Sequence, residues 1–273
     1  MSSSSAAGSS APPEAGRFAR GARELIVPLA VLAALLLAWE AAVHAFKIPV
    51  YLLPAPSVIW RDCVAIAGNL ALHAWATLVT VMLGFVASIV VSLPVAVLLT
   101  SSPSVANAIY PILVLTQSIP KVALAPILVV MLGANELPRV VITFLVAFFP
   151  LVISIATGFL SVPAELLELG KSYRASRLRE LYRIRLPYAV PFIFSGLKVA
   201  ITLCVVGAIV AEFVNADRGL GYLIVTSTAF FKVPVAFGAV ILLSVIGILL
   251  FQAVVIIERV FFPWSSSVEA APA

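Results

Sequence analysis

Charged side chains are scarce in this sequence of 273 residues. Asp, Glu, Lys and Arg make up 11% of the chain, whereas a soluble domain carries about 25%. Apolar residues make up 63%, and the mean hydropathy is +1.17. Because a globule of this size needs a water-compatible surface, the composition excludes an ordinary soluble domain and indicates that most of the chain lies in lipid.

Cysteine and histidine are also rare, which excludes several kinds of site. The sequence contains two cysteines, Cys63 and Cys204, and two histidines, His44 and His73. It therefore has neither a disulfide framework nor the cluster of His and Cys ligands typical of metal sites, and we expect no metal and no cofactor. The net charge of +5 fits the loops of a membrane protein and does not predict a nucleic-acid partner.

Long uncharged stretches predict six transmembrane helices, because a bilayer requires about 20 apolar residues of helix. Positions 63–120 contain no charged residue, and the polar turn at 100–103 divides them into two spans. The sequence thus predicts an all-α integral membrane protein with spans at roughly 25–46, 72–100, 104–132, between Arg139 and Glu165, 186–211 and 233–257.

The distribution of basic residues predicts the orientation. Cytoplasmic termini put ten Lys and Arg residues on that side and five on the other, so the positive-inside rule favours that arrangement. Residues 1–24 are rich in Ser, Ala, Gly and Pro and are predicted to form a disordered cytoplasmic tail. Residues 263–273 are predicted to form a cytoplasmic C-terminal tail. The apolar segment 219–231 is too short to cross and is expected to be interfacial or re-entrant.

The segment 163–187 carries six of the 17 Lys and Arg residues and is amphipathic. Pro163 favours the start of a helix, and Ser176 can cap a second short helix. The apolar face of that second helix is formed by Leu178, Leu181 and Tyr182, and the opposite, basic face is formed by Arg179 and Arg183. The pattern indicates a docking site for a protein partner or, alternatively, a loop anchored to anionic lipid.

The same segment resembles the EAA loop of permease subunits of bacterial binding-protein-dependent ABC importers. Glu168 corresponds to the motif glutamate, while Leu169 and Gly170 replace the paired alanines and Arg174 replaces the motif glycine. The family resemblance extends over about residues 70–264 through Ala175-Ser176, Ile184-Arg185-Leu186-Pro187, Ser118-Ile119-Pro120-Lys121 with Pro126, Gly196-Leu197-Lys198, Ala211-Glu212-Phe213, Gly219-Leu220-Gly221-Tyr222, and Glu258-Arg259 with Pro263-Trp264.

This resemblance implies the type I importer permease fold, with a core domain at 70–262 and a cytoplasmic coupling loop between helices 4 and 5. It also implies a second permease subunit, expected to make a homodimer, two ATP-binding subunits, and a periplasmic or lipid-anchored binding protein at the bacterial inner membrane. The residues implied in coupling are Glu165, Glu168, Leu169, Gly170, Arg174, Ala175, Ser176, Arg179, Ile184, Leu186 and Pro187.

The substrate is not determined by the sequence. The branch of the family that the chain resembles serves nitrate, taurine, alkanesulfonates, and pyrimidine or riboflavin-type precursors. Gly170-Lys171-Ser172 lacks the first glycine of a phosphate-binding loop, since Glu165 stands there. We therefore expect a non-catalytic subunit, with ATP hydrolysis on a partner. The alternative functions are an ion-coupled secondary transporter, for which we find no convincing internal repeat, and another kind of polytopic membrane protein.

Two charges inside predicted spans are candidates for the translocation path. Lys121 follows Pro120 in the third span, and Glu212 ends the fifth. Ionisable groups in a bilayer tend to face a water-filled path or to pair with other groups. The alternatives for Lys121 are snorkelling towards the surface and a structural pair with Glu212 or with a backbone carbonyl at the proline break.

Overall fold

The computed structural model describes residues 15–100 and 102–265. Within these ranges the chain is helical, and no strand occurs there. A 3-10 turn at Lys121–Leu124 and a π segment at Leu181–Arg185 interrupt the regular helices. In chain order, the α-helices are α1 (Ala15–Ala45), α2 (Pro56–Ala65), α3 (Ala67–Thr100), α4 (Pro103–Gln117), α5 (Ala125–Leu132), α6 (Glu136–Leu160), α7 (Ala164–Ser172), α8 (Arg177–Glu180), α9 (Leu186–Val214), α10 (Leu220–Ala229) and α11 (Val233–Phe261).

Five of the described helices, α1, α3, α6, α9 and α11, are long and apolar enough to cross a membrane. A sixth crossing is formed when α4 and α5 are taken as one span, because they follow each other across a short break. This arrangement confirms the predicted all-α membrane fold. The third predicted span, which the sequence indicates to be broken by proline, bends by 78° between Gln117 and Lys121. Pro120 lies in this break and has no N–H to continue the helix.

The core of the bundle consists of α3, α6 and α9, which pack against one another. Small residues permit close approach, since a Cβ at Gly84 would lie 2.4 Å from Cγ2 of Thr143, and one at Gly207 would lie 3.0 Å from Cα of Thr143. The Ser88 hydroxyl donates to the carbonyl oxygens of Gly84 at 2.8 Å and Phe144 at 3.3 Å. Close packing and such hydrogen bonds hold helices together in lipid, where apolar burial contributes little.

The bundle has two ends, which contacts between helices define. At the loop end, Thr100 at the end of α3 lies beside the 163–187 segment, and Phe262 packs on Phe194 of α9. At the opposite end, called the clasp end, His73 near the start of α3 contacts Gly219 between α9 and α10. The short helix α10 packs against α3, α9 and α11.

Three boundaries differ from those expected. Helix α1 starts at Ala15, so residues 15–24 are helical although the sequence predicts disorder there. This stretch contains three Ala and three Arg residues, which extend an existing helix at little cost. Helix α2 lies between the first two spans and was not predicted. At the C-terminus, Ser265 bonds to Glu258, so the predicted tail begins with packed residues. The rest of both predicted tails lies outside the described residues.

Candidate functional site

The 163–187 segment forms two short helices, as its amphipathic pattern predicts, and the π segment, which was not predicted, follows the second helix. Helix α7 begins directly after Pro163. The Ser176 hydroxyl accepts the backbone N–H of Arg179 at 3.4 Å, which confirms the predicted cap of α8. Arg185 of the π segment donates to the carboxylate of Glu180 at 2.8 Å. The segment is therefore a compact helical structure rather than an open loop.

Two residues that depart from the EAA pattern, Gly170 and Arg174, lie at positions whose geometry favours glycine. Gly170 is buried, and a Cβ there would lie 2.8 Å from Cδ1 of Ile184, so glycine brings α7 directly onto the π segment. Arg174 has a φ of 50°, which lies in the left-handed region that glycine adopts without strain. The backbone therefore keeps the conformation suited to the glycine of the motif, although the side chain is that of arginine.

Large apolar side chains cover the outside of the 163–187 segment and form a surface that we call the apolar loop face. Tyr173 is 79% exposed, and the whole set comprises Leu166, Leu169, Tyr173, Leu178 and Tyr182. Of the other residues predicted for coupling, Ala175 and Leu186 are half-buried, and Pro187 is exposed. The side chains of Glu165, Glu168 and Arg179 are also exposed. In the part of the chain that the structure describes, these three make no ion pair, so their charges are available to a partner.

The break between α4 and α5 places polar groups on the outside of the bundle. Gln117, Ser118 and Pro120 are exposed. The Lys121 ammonium donates to the carbonyl of Gln117 at 3.3 Å and lies 5.0 Å from the centre of the Phe149 ring. Lys121 thus combines a hydrogen bond to a carbonyl at the break with a cation–π contact.

Glu212 lies at the clasp end, in an environment quite different from that of Lys121. Its side chain is only 2% exposed. Its carboxylate accepts the Thr77 hydroxyl at 3.1 Å and the backbone N–H of Gly221 at 2.7 Å. Gly219 packs directly on this carboxylate, since a Cβ there would lie 2.3 Å from Cδ of Glu212. Glu212 therefore fastens the start of α10 to the end of α9.

Two side chains of α3 complete this attachment. The backbone N–H of Leu220 donates to the Thr77 hydroxyl at 2.7 Å, and that of Gly219 donates to Nδ1 of His73 at 3.0 Å. Successive N–H groups at the start of α10, which lack partners within the helix, are thereby bonded to side chains of α3 and α9. We call His73, Thr77 and Glu212 the clasp. The structure thus places Lys121 and Glu212 in separate contacts, with no pairing between them.

A charged cluster surrounds the clasp. Arg139 of α6 is buried, and its guanidinium donates to the carbonyl of Arg218 at 3.3 Å and lies 3.7 Å from the carboxylate of Glu136. Glu136 also bonds to the Arg218 side chain, and this hydrogen bond raises the pKa of the Arg218 guanidinium. The cluster holds the 215–219 connection against the start of α6.

Two further charged residues within predicted spans, Lys198 and Glu40, have partners that were not predicted from the sequence. Lys198 of α9 lies 2.9 Å from the carboxylate of Glu258 of α11, and Ser265 donates to the same carboxylate at 2.7 Å. In α1, Glu40 accepts the backbone N–H of Ser57 at 3.0 Å, at the start of α2. The available signal was that Lys198 and Glu40 each interrupt an apolar run, since charges within spans usually have partners.

Comparison with known proteins agrees with this architecture. Residues 88–264 match the family described as the binding-protein-dependent transport system inner membrane component. The chain is 34% identical to the formylaminopyrimidine transport permease protein ThiX of Halalkalibacterium halodurans, over 84% of this chain and 92% of the relative. It is 32% identical to a probable ABC transporter permease protein of Haemophilus influenzae, over 84% of this chain and 94% of the relative.

A third relative and one solved structure extend the comparison. The taurine transport system permease protein TauC of Escherichia coli is 27% identical, over 90% of this chain and 92% of the relative. A chain of the MetNI methionine ABC transporter in an inward-facing conformation aligns with a TM-score of 0.64 and 21% identity, over 72% of this chain and 97% of that chain. This last similarity shows the fold. None of these matches supports the secondary-transporter alternative.

Proposed function

The chain belongs to the family of binding-protein-dependent transport system inner membrane components, and from that premise we propose where its partners and its solute meet it. It is the membrane-spanning permease subunit of an ABC importer and a multi-pass inner membrane protein. Importers of this family work with an ATP-binding subunit and a substrate-binding protein.

The ATP-binding subunit docks on the apolar loop face. The observation that carries this proposal is the exposure of Leu169, Tyr173 and Tyr182 on a segment outside the spans, because apolar side chains rimmed by charge are typical of protein interfaces. The loop end and both termini then lie in the cytoplasm, as the excess of basic residues favours. ATP is hydrolysed on the docked subunit, and this chain contributes no catalytic group.

Co-purification of the ATP-binding subunit tests this docking. Leu169→Asp places a charge in the proposed interface, and we expect recovery of the partner to fall at least about tenfold, since burying an unpaired charge costs several kcal/mol. Leu52→Asp is the matched control, because Leu52 is similarly exposed but lies between α1 and α2, away from the loop end. Undiminished recovery with Leu169→Asp contradicts the proposal.

The solute passes beside the break between α4 and α5. Irregular backbone at membrane depth persists only where it is buried in protein or lines a water-filled cavity, yet Gln117, Ser118 and Pro120 are exposed in the single chain. A second, identical permease subunit facing this surface encloses the path, and two ATP-binding subunits serve the pair. Glu212, whose carboxylate accepts hydrogen bonds from Thr77 and Gly221, holds α10 and does not line the path.

Lys121 provides a positive charge in this path. A cation suits solutes with acceptor oxygens or nitrogens or with a negative group, such as the formylaminopyrimidine and taurine for which ThiX and TauC are named. We expect Lys121→Met to assemble and to retain ATPase activity but to lose uptake. Lys232→Met, an exposed lysine between α10 and α11, is the matched control and keeps uptake. Loss of assembly in Lys121→Met assigns a structural role to Lys121 instead.

A further inference from the structure

A cavity at the loop end is separate from the proposed path and shares a single residue, Leu178, with the apolar loop face. It has a volume of about 320 Å³ and lies between the end of α3 and the 163–187 segment. Thr100, the last residue of α3, forms part of its wall, so the cavity lies where this spanning helix leaves the membrane. Its lining consists of Val97, Thr100, Lys171, Arg177, Leu178, Glu180, Leu181 and Arg185.

The lining of this cavity carries more positive than negative charge. Arg185 is paired with Glu180 at 2.8 Å, and both side chains are largely buried. Lys171 and Arg177 also line the cavity, and neither has an ion pair or side-chain hydrogen bond within the described part of the chain. Two uncompensated positive charges therefore face one cavity beside apolar walls.

We propose that this cavity binds the phosphate group of an anionic phospholipid. An arginine and a lysine that converge on one space suit phosphate oxygens, because the guanidinium can form paired hydrogen bonds and the ammonium adds a point charge. The apolar walls formed by Val97 and Leu181 suit the adjoining glycerol and acyl groups. This site goes beyond the docking of the ATP-binding subunit, and it gives the 163–187 segment a second contact, with the membrane surface.

A specific lipid-binding site differs from diffuse electrostatic attraction between a basic segment and an anionic membrane. Diffuse attraction depends on the number of basic residues near the surface, so every arginine of the segment contributes similarly. At a specific site, the affinity for lipid depends on the residues that line the cavity. Arg183 separates the two cases, because it is exposed on the same segment and does not line the cavity.

Thermal unfolding of the full-length chain in detergent, titrated with lipid, tests the proposal. We expect dioleoylphosphatidylglycerol to raise the unfolding midpoint and dioleoylphosphatidylcholine, with the same acyl chains, to have little effect. Lys171→Gln and Arg177→Gln should each weaken the apparent affinity for phosphatidylglycerol about tenfold, whereas Arg183→Gln should leave it unchanged. Lys171→Arg, which keeps the charge, should restore binding. If a substitution lowers the unfolding midpoint even in the absence of lipid, native mass spectrometry of lipid adducts compares the lipid binding of that variant with that of the unmodified chain.

Inorganic phosphate at matched ionic strength separates the two sources of the group. Stabilisation by phosphatidylglycerol alone supports a lipid headgroup, and stabilisation by inorganic phosphate as well supports a site for the phosphate group from either source. If Arg177→Gln and Arg183→Gln lower the apparent affinity for phosphatidylglycerol equally, the attraction is diffuse and the proposal is overturned. The absence of any effect of phosphatidylglycerol overturns it too.

Discussion

The carboxylate of Glu212 accepts the backbone N–H of Gly221 at 2.7 Å, although Glu212 lies inside the last turn of a spanning helix. A carboxylate suits the start of α10, because a helix N-terminus carries partial positive charge. Glu40 has the same relationship to α2, accepting the backbone N–H of Ser57. At the clasp end, two short helices are thus attached to spans through acidic side chains.

The clasp predicts a strict requirement for glycine at position 219. Gly219 has a φ of 126°, and a Cβ there would lie 2.5 Å from both carboxylate oxygens of Glu212. We expect Gly219→Ala to lower the free energy of unfolding by on the order of 3 kcal/mol, from backbone strain and overpacking together. Gly68→Ala is the control, since a Cβ at Gly68 has no neighbour within 4 Å. Equal unfolding midpoints for the two variants in detergent would refute the clasp geometry.

A second close contact joins α2 to α11. A Cβ at Gly238 would lie 1.9 Å from Sγ of Cys63, so Gly238→Ala should destabilise the chain by about 1–3 kcal/mol. Replacing Cys63 with alanine as well removes the sulfur and should recover most of this loss. Gly247→Ala on the same helix, where the nearest atoms lie 4.0 Å away, should be nearly neutral. Thermal unfolding of the four proteins checks this, and a double variant no more stable than Gly238→Ala contradicts it.

Arg174 is the residue of the 163–187 segment whose backbone favours another side chain. Because its φ is 50°, Arg174→Gly should remove strain of about 1 kcal/mol, partly offset by the entropy of glycine in the unfolded chain. We expect slower proteolysis of the segment and undiminished co-purification of the ATP-binding subunit. Arg183→Gly, at a position within the π segment, should instead accelerate proteolysis. Faster cleavage of Arg174→Gly contradicts this explanation.

The spans were predictable because lipid imposes a simple requirement on composition. A run without charge that is longer than one span, such as 63–120, predicts helices in the bilayer, and the polar turn at 100–103 separates two of them. The cap by Ser176 was predictable because it is local, three residues from its partner. The size of the bend near Pro120 was not, because a proline break in a span does not determine the direction in which the chain continues.

Contacts between distant parts of the chain account for most of what the sequence did not reveal. Thr77 and Glu212 are 135 positions apart, and neither residue type indicates such a partner. The assignment of Glu212 to the path followed from its charge alone, because burial and hydrogen-bond partners are properties of the folded chain. The positive φ of Arg174 could be anticipated only through the motif glycine that it replaces.

The proposed orientation predicts a difference in accessibility between the two ends. In a background with Cys63 and Cys204 replaced by alanine, Ser172→Cys in α7 should react with an impermeant thiol reagent only from the cytoplasmic side. Asn215→Cys, next to the clasp, should react only from the outside. Labelling of intact cells and of inverted vesicles distinguishes the two, and labelling of both positions from the same side contradicts the six-crossing topology.

Access of water to the break tests the central claim, that solute passes beside Gln117 and Lys121, most directly. In the same cysteine-free background, Gln117→Cys in the assembled transporter should react with a small, charged thiol reagent, and bound solute should slow the reaction. Leu249→Cys is the matched control, since Leu249 is exposed on α11 near the middle of that apolar span and should not react. Reaction of Gln117→Cys at a rate well above that of Leu249→Cys is the predicted result, and equally unreactive cysteines at the two positions would contradict the account.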